Sequence, residues 1–117
     1  MAHRISYSVI VSLPTAGLAA DYVAWLLGGH VQAVIRGGAS SGEVVVLDAE
    51  PTSPETGGPT ANGGVAGARV MAHYVFASRA VFDEYVRLYA PALRAEGLAK
   101  FPPSTGVTYQ RLVGEIQ

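Results

Sequence analysis

The spacing of apolar residues in this chain changes twice from that of a β-strand to that of an α-helix, and this alternation restricts its fold more than any other feature. In residues 5–13 apolar side chains recur at every second position, the period of a half-buried strand. In residues 18–35 they recur at every third or fourth position, which predicts an amphipathic helix that Gly37 and Gly38 bring to an end. The chain is therefore expected to begin with a strand followed by a helix.

The second half repeats this pattern after a hairpin. Two runs rich in β-branched residues, 43–49 and 68–77, predict two antiparallel strands. Ser78 is placed to cap a second helix, which Pro91 should end or kink, and a last alternating run covers residues 107–116. The predicted order β-α-β-β-α-β is that of a ferredoxin-like α+β fold, in which two helices cover one face of a four-stranded antiparallel sheet.

A chain of 117 residues is long enough for one domain and too short for two ordinary ones, so residues 1–117 are expected to form a single domain. Residues 50–67 contain three prolines and five glycines without an apolar period, and they predict a flexible hairpin loop. This loop is either a tolerated insertion or a flap over a binding site. The absence of an aromatic or charged cluster in it favours the insertion.

The composition predicts that this domain is covered by a second copy of itself. Half of the residues are apolar and 15% are charged, which is more apolar surface than a monomer of this size needs. Both faces of the strand at residues 68–77 are largely apolar, with Tyr74 and Phe76 on one face and Met71 and Val75 on the other. Because helices cover only one face, the other is expected to meet a partner sheet in a homodimeric α/β barrel.

Charge and cysteine content exclude several function classes. Eight basic residues are dispersed among nine acidic ones, which leaves no electrostatic footprint for nucleic acid. The chain has no cysteine, so disulfides, thiolate metal sites and thiol nucleophiles are excluded. The N-terminus reads as a strand and not as a signal peptide, and glycines and polar residues interrupt the longest apolar stretch. A cytoplasmic protein without a membrane partner is expected.

The first predicted helix carries one imidazole, that of His30, in an otherwise apolar stripe. Leu26, Leu27 and Val34 share its face at helical spacing, and this face should point at the sheet. His30 is then either a core residue with one satisfied hydrogen bond or the acid/base group of an internal pocket.

Two tyrosines on strands are candidates to complete such a pocket. Tyr7 on the first strand and Tyr74 on the third could add phenolic donors to His30, a set that suits removal of a proton next to a carbonyl or from a phenol. The alternative is that both tyrosines are core aromatics whose hydroxyls reach solvent or backbone. His73 alternates to the opposite side of its strand from Tyr74 and is expected to face a partner sheet or the rim.

Several segments together resemble an uncharacterised bacterial family of the dimeric α/β-barrel superfamily. They include YSVIVSL at residues 7–13, WLLGGHV at residues 25–31 and YAPALRAEGLAKFP at residues 89–102. Relatives usually carry a histidine where this chain has Tyr89, which weakens a mechanism based on two histidines or a metal. The wider superfamily is similar in shape to small cofactor-free monooxygenases, cyclases and isomerases that use a pocket between sheet and helices. The resemblance therefore implies a fold and a dimer more than an activity.

The remaining candidate residues line the same expected pocket. Arg111 needs an anion, either a carboxylate such as that of Glu43 or a ligand oxygen, whereas Arg36 and Arg94 are explained by helix ends. Trp25 is better explained by packing or by an interface than by substrate stacking. The candidate substrate-binding residues are Trp25, Leu26, Phe76, Tyr89 and Arg111.

Other chemistries lack their sequence patterns. The loop glycines do not form a phosphate loop, the three histidines lack metal-ligand spacing, and no G-x-S-x-G elbow marks a serine triad. We therefore expect neither a cofactor nor a metal. Two functions remain: a small cofactor-independent isomerase, cyclase or monooxygenase that acts on a hydrophobic aromatic or polyketide-like molecule, or a non-catalytic small-molecule-binding or accessory protein.

Overall fold

The computed structural model of the protein describes residues 3–48 and 67–117, so the predicted loop at residues 50–67 lies outside the described residues except for Gly67. The described chain forms a four-stranded antiparallel sheet with the strand order β2-β3-β1-β4. Its strands are β1 Ile5–Leu13, β2 Ser41–Leu47, β3 Ala68–Phe76 and β4 Thr108–Glu115. The first and third strands are central, which is the order that a β-α-β-β-α-β chain takes in the predicted fold.

Four helices cover one face of this sheet: α1 Ala16–Trp25, α2 Val31–Arg36, α3 Arg79–Leu88 and α4 Ala90–Lys100. The hydroxyls of Thr15 and Ser78 accept hydrogen bonds from backbone N–H groups three residues later, at 3.0 and 3.3 Å, and so begin α1 and α3. Pro91 lies in the first turn of α4, where its missing N–H group has no partner to lose. The break between α3 and α4 therefore occurs where the proline predicts it.

A π-helical turn, Leu26–His30, joins α1 and α2 without a gap. The Val31 N–H group donates to the Leu26 carbonyl five residues earlier, and Gly29 has φ 154°, a conformation that residues with side chains rarely adopt. The turn adds one residue to the helix, so Val31 takes the buried position that follows Leu26. The expectation that Leu27 lies with His30 on the sheet-facing side is wrong, because the Leu27 side chain is 65% exposed.

The helical run Ala16–Arg36 continues through this turn, as the helix expected over residues 18–35 requires, but the expectation that its glycines and polar residues leave no span long and apolar enough for a membrane is wrong. With a mean hydropathy of 1.2, the run is long and apolar enough by length and composition alone to cross a membrane. In this fold it lies on the sheet instead of standing apart from it. The residues that it buries are Ala19, Tyr22, Leu26, Val31 and Val34.

The hydrophobic core lies between the helices and the central strands. Phe76 at the end of β3 is fully buried, and its ring lies 5.1 Å from the centroids of both Phe82 and Tyr85. None of the helices in the described residues lies on the opposite face of the sheet. That face presents apolar side chains beside polar ones, among them Ile10, Met71, Val75 and Leu112.

Candidate functional site

A cavity opens between the sheet and the helices. It is open on one side and has a volume of about 450 Å³ with that open space included. Enclosed ligand pockets usually measure about 300–1,000 Å³, so the closed part of this cavity is smaller than an ordinary ligand pocket and admits at most a compact molecule. Its walls are formed by Tyr7, Val9, Tyr22, Trp25, Leu26, His30, Val34, Ala72, Tyr74, Tyr85, Leu93, Arg94, Gly97, Tyr109 and Arg111.

His30 borders this cavity from the last position of the π-helical turn. Its ring stacks on Trp25 with 4.2 Å between the ring centroids, and its Nδ1 atom is buried with no hydrogen-bond partner in the described part of the chain. Burial lowers the pKa of His30 below its usual value, and the carboxylate of Glu96 opposes this shift. The imidazole is therefore neutral at neutral pH, and one of its nitrogens can accept a proton.

Five of the six tyrosines of the chain line the cavity. Burial raises the pKa of Tyr22, Tyr74 and Tyr85, and neighbouring phenols add to the rise, so these three side chains remain protonated donors. The Tyr74 hydroxyl is buried and finds no hydrogen-bond partner among the described residues. Tyr7 stacks on Tyr74 with 6.0 Å between the ring centroids. A protonated phenol thus faces the same cavity as the neutral imidazole.

Arg94 enters the cavity wall from the middle of α4, and the expectation that it sits near a helix end is wrong. It lies at helical spacing from the buried residues Ala90 and Gly97, which places it on the side of α4 that faces the protein interior. Its Nε atom is buried without a hydrogen-bond partner within residues 3–48 and 67–117. Favourable interaction with helix-end carbonyls does not account for this residue.

Arg111 reaches the cavity from β4, and its guanidinium carbon lies 5.9 Å from the centroid of the Tyr109 ring. Glu43, the carboxylate suggested as its partner, is on β2 at the opposite edge of the sheet and contacts His73. The pairing of Arg111 with Glu43 is therefore wrong. A ligand oxygen remains as the second of the two expected partners.

The cavity brings together six of the eight candidate site residues: Tyr7, Trp25, Leu26, His30, Tyr74 and Arg111. Phe76 does not line it, because this side chain is enclosed by core aromatics. Tyr89 does not line it either; this residue lies between α3 and α4, is 43% exposed and packs beside Gly37.

Four polar residues of the cavity were not among the candidates: Tyr22, Tyr85, Arg94 and Tyr109. Tyr22 and Tyr85 belong to the sheet-facing stripes of their helices, so the pattern shows their burial but not that they border a cavity. For Arg94, the sequence feature that indicates a place in the cavity wall is its helical spacing from small residues on α4. An arginine on a buried helical face is rare unless it is paired or binds a ligand.

A second polar cluster lies on the uncovered face of the sheet. His73 Nε2 is 3.0 Å from Ser6 Oγ, and His73 Nδ1 is 3.3 Å from a carboxylate oxygen of Glu43, which is the connectivity of a serine triad. The backbone of Ser6 is paired within a central strand, so its neighbouring N–H groups are engaged in the sheet and do not form an oxyanion hole. We interpret this cluster as a structural network that satisfies three polar side chains on that face.

Within the two described ranges, no group of three or more histidine, aspartate or glutamate residues could hold a metal ion. No family model matches this sequence, and no curated protein matches it at a significant level.

Solved structures nevertheless share the whole architecture. An ethyl tert-butyl ether d (EthD) family protein from Bacillus halodurans has a TM-score of 0.65 at 12% identity, over 97% of this chain and 99% of that one. A dimeric ferredoxin-like protein from an uncultured marine organism has a TM-score of 0.59 at 14% identity, over 97% and 95% of the two chains. The fold is ferredoxin-like. A candidate monooxygenase from Shewanella loihica shares this ferredoxin-like fold with a TM-score of 0.51 at 12% identity, over 100% and 97%. At these identities the likeness describes the fold and no activity.

Proposed function

We propose that this protein belongs to the bacterial family that its segments resemble and is a small cofactor-independent enzyme acting on a compact aromatic molecule. One observation carries the proposal: three buried polar atoms without a partner among the described residues, His30 Nδ1, Tyr74 OH and Arg94 Nε, belong to side chains around one cavity. Buried polar groups are nearly always hydrogen-bonded, so a ligand that supplies their partners accounts for all three.

The chemistry of these groups suits proton transfer. The neutral imidazole of His30 removes a proton from a carbon next to a carbonyl or from a phenol. The protonated Tyr74 hydroxyl donates a hydrogen bond to the oxygen on which negative charge develops, and the burial of this hydroxyl strengthens the interaction. Isomerisation, cyclisation and cofactor-free oxygenation can each begin with this step. The EthD family and monooxygenase neighbours support the proposal at the level of a shared fold.

Filling the cavity with a larger side chain is expected to abolish the activity of the protein. Ala72 is 1% exposed and lines the cavity, so the larger side chain of Ala72→Leu would occupy the space that a ligand needs. Catalysis is measured by NMR as the exchange of the methyl protons of acetophenone for solvent deuterium. Binding is measured by the shift of the indole signal of Trp25, the single tryptophan. We expect wild type to catalyse the exchange and Ala72→Leu to lose it.

The matched control is Ala68→Leu, the same change on the same strand at a half-buried residue outside the cavity. Overpacking destabilises a protein by about 1–3 kcal/mol, and both variants should remain folded. Exchange that survives in Ala72→Leu would place the reaction elsewhere. Acetophenone that binds to wild type without any exchange would support the alternative of a non-catalytic binding protein.

We also propose that the uncovered face of the sheet packs against the same face of a second copy. The central strands present Ile10, Met71 and Val75 there, and the edge strand presents Leu112, which is 47% exposed. Exposed apolar side chains on a face that no described helix covers are typical of an interface, even where polar residues lie beside them. One neighbour of the same fold is described as dimeric.

Leu112→Lys is expected to weaken this dimer at least about 10-fold, because the interface loses an apolar side chain and must bury a charge instead. Leu98→Lys is the control, since Leu98 is 42% exposed but lies on α4, away from the uncovered face. Sedimentation velocity over a range of concentrations measures the effect. A wild-type protein that remains a monomer at micromolar concentration would contradict the proposed dimer.

A further inference from the structure

We infer that the ligand of this cavity is an organic anion, a compact aromatic or conjugated carboxylate whose carboxylate group is bound by Arg94 and Arg111. The inference rests on the proposed function, because it specifies the ligand class of the same cavity. It is carried by three features of the cavity walls: their charge, the position of the two guanidinium groups, and their aromatic content.

The first feature is a positive charge that the cavity does not neutralise. Among the 15 described residues that line it, two are arginines and none is an aspartate or glutamate. The ion pairs within residues 3–48 and 67–117 involve other arginines or His73: Arg79 with Glu115, Arg87 with Glu84, and His73 with Glu43. A guanidinium group in a partly buried wall is stabilised by an anion, and carboxylates match its planar pair of donors.

The second feature is that the two arginines act on one region of the cavity. Arg94 comes from α4 and Arg111 from β4, and the Tyr109 hydroxyl fixes these elements together by donating to the Phe101 carbonyl at 2.7 Å. Both guanidinium groups oppose the rise that burial causes in the pKa of Tyr85. Both groups therefore act on the side of the cavity that Tyr85 borders, where one carboxylate would interact with both.

The third feature is the aromatic content of the remaining walls. Five tyrosines and Trp25 surround the space beside the arginines. Flat aromatic side chains pack well on a flat ligand, and the raised pKa values of the buried phenols keep them uncharged beside an anion. The walls thus fit a planar body with one acidic group. His30 and Tyr74 then remain available to the reacting part of that body.

The test compares two ligands of nearly the same shape, 4-hydroxybenzoate and its neutral analogue 4-hydroxybenzamide. Binding is followed by NMR through the indole signal of Trp25, which lines the cavity. A charge-assisted hydrogen bond contributes more than a neutral one, so we expect wild type to bind the carboxylate about 10- to 100-fold more tightly than the amide. Arg94→Met and Arg111→Met should each remove most of this preference, because each weakens binding of the carboxylate more than binding of the amide.

Arg36→Met is the matched control. Arg36 borders a neighbouring depression that shares Trp25, His30 and Leu93 with the cavity but does not line the cavity itself, so this variant should keep the full preference for the carboxylate. Loss of the preference in Arg36→Met, with retention in the other two variants, would overturn the inference. Because Arg111 is exposed on an edge strand, its variant should fold even if Arg94→Met does not.

The two ligands also separate this inference from the proposed function. Equal affinity of wild type for carboxylate and amide would overturn the anion inference and leave a binding cavity in place. Failure of both ligands to move the Trp25 signal would overturn the anion inference and also remove support for a cavity that binds aromatic molecules. Inorganic phosphate that binds as tightly as 4-hydroxybenzoate would show a general anion site and overturn the aromatic part of the assignment.

Discussion

His30→Gln is expected to lower the rate of proton exchange by about 10²–10⁴-fold, the usual contribution of a general base, while the protein stays folded. Glutamine retains a polar group of similar reach but has no nitrogen that takes up a proton near neutral pH. Because His30 Nδ1 has no hydrogen-bond partner within the described residues, the substitution breaks no hydrogen bond of that atom. The free energy of unfolding should therefore change far less than the rate of proton exchange.

The pH dependence of the rate provides an independent check on His30. A base acts in its neutral form, and burial lowers the pKa of His30 below the usual value of 6.5. The wild-type rate should thus be constant near neutral pH and fall only as the pH drops through this lowered pKa. The residual rate of His30→Gln should lack this step. Unchanged turnover together with a reduced melting temperature would instead identify His30 as a structural residue.

Phe76→Ala is expected to reduce the free energy of unfolding by about 3–5 kcal/mol, the range measured when a buried phenylalanine leaves a cavity. The side chain is fully buried and contacts Phe82 and Tyr85, so few atoms can move to refill the space. Domains have total stabilities of only about 5–15 kcal/mol, and this change would remove a large part of it. Urea unfolding at a fixed protein concentration measures the effect.

Tyr89→Ala is the control for Phe76→Ala. Tyr89 is the other candidate outside the cavity walls, and at 43% exposure its truncation should have a much smaller effect on unfolding. A Phe76→Ala protein of unchanged stability that no longer binds ligand would restore Phe76 to the binding residues. A protein that unfolds more easily but keeps ligand affinity in its folded fraction would confirm its role in the core.

The order of elements could be predicted because it follows from local signals. The alternation at residues 5–13 coincides with β1, and Pro91 marks the junction of α3 and α4. The ends of the elements are predicted less accurately: β2 begins at Ser41, two residues before the β-branched run that predicts it. Strand ends depend on pairing with neighbours, and the sequence of one strand does not contain that information.

The site was only partly predictable because it depends on packing between distant segments. Sequence spacing identifies Tyr85 as a buried residue, but a cavity beside it requires small side chains such as Ala72 and Gly97 on facing elements. The Ser6, His73 and Glu43 cluster likewise depends on the register of three adjacent strands. Apolar periodicity does not predict the π-helical turn, because it assumes a constant number of residues per turn.

The π-helical turn lets one helix both pack on the sheet and present His30 to the cavity. In genetic terms a π-helical turn is the insertion of a single codon into an α-helix, and here the inserted length ends at His30. A chain shorter by one residue at this point would continue as an α-helix and still bury Leu26 and Val31 on the sheet. The residues that maintain the fold would then be retained, while His30 would follow Trp25 by four residues instead of five and its ring would lose its present stacking on the indole. Selection can therefore act on the position of this imidazole relative to Trp25 through helix length, with little change in the composition of the core.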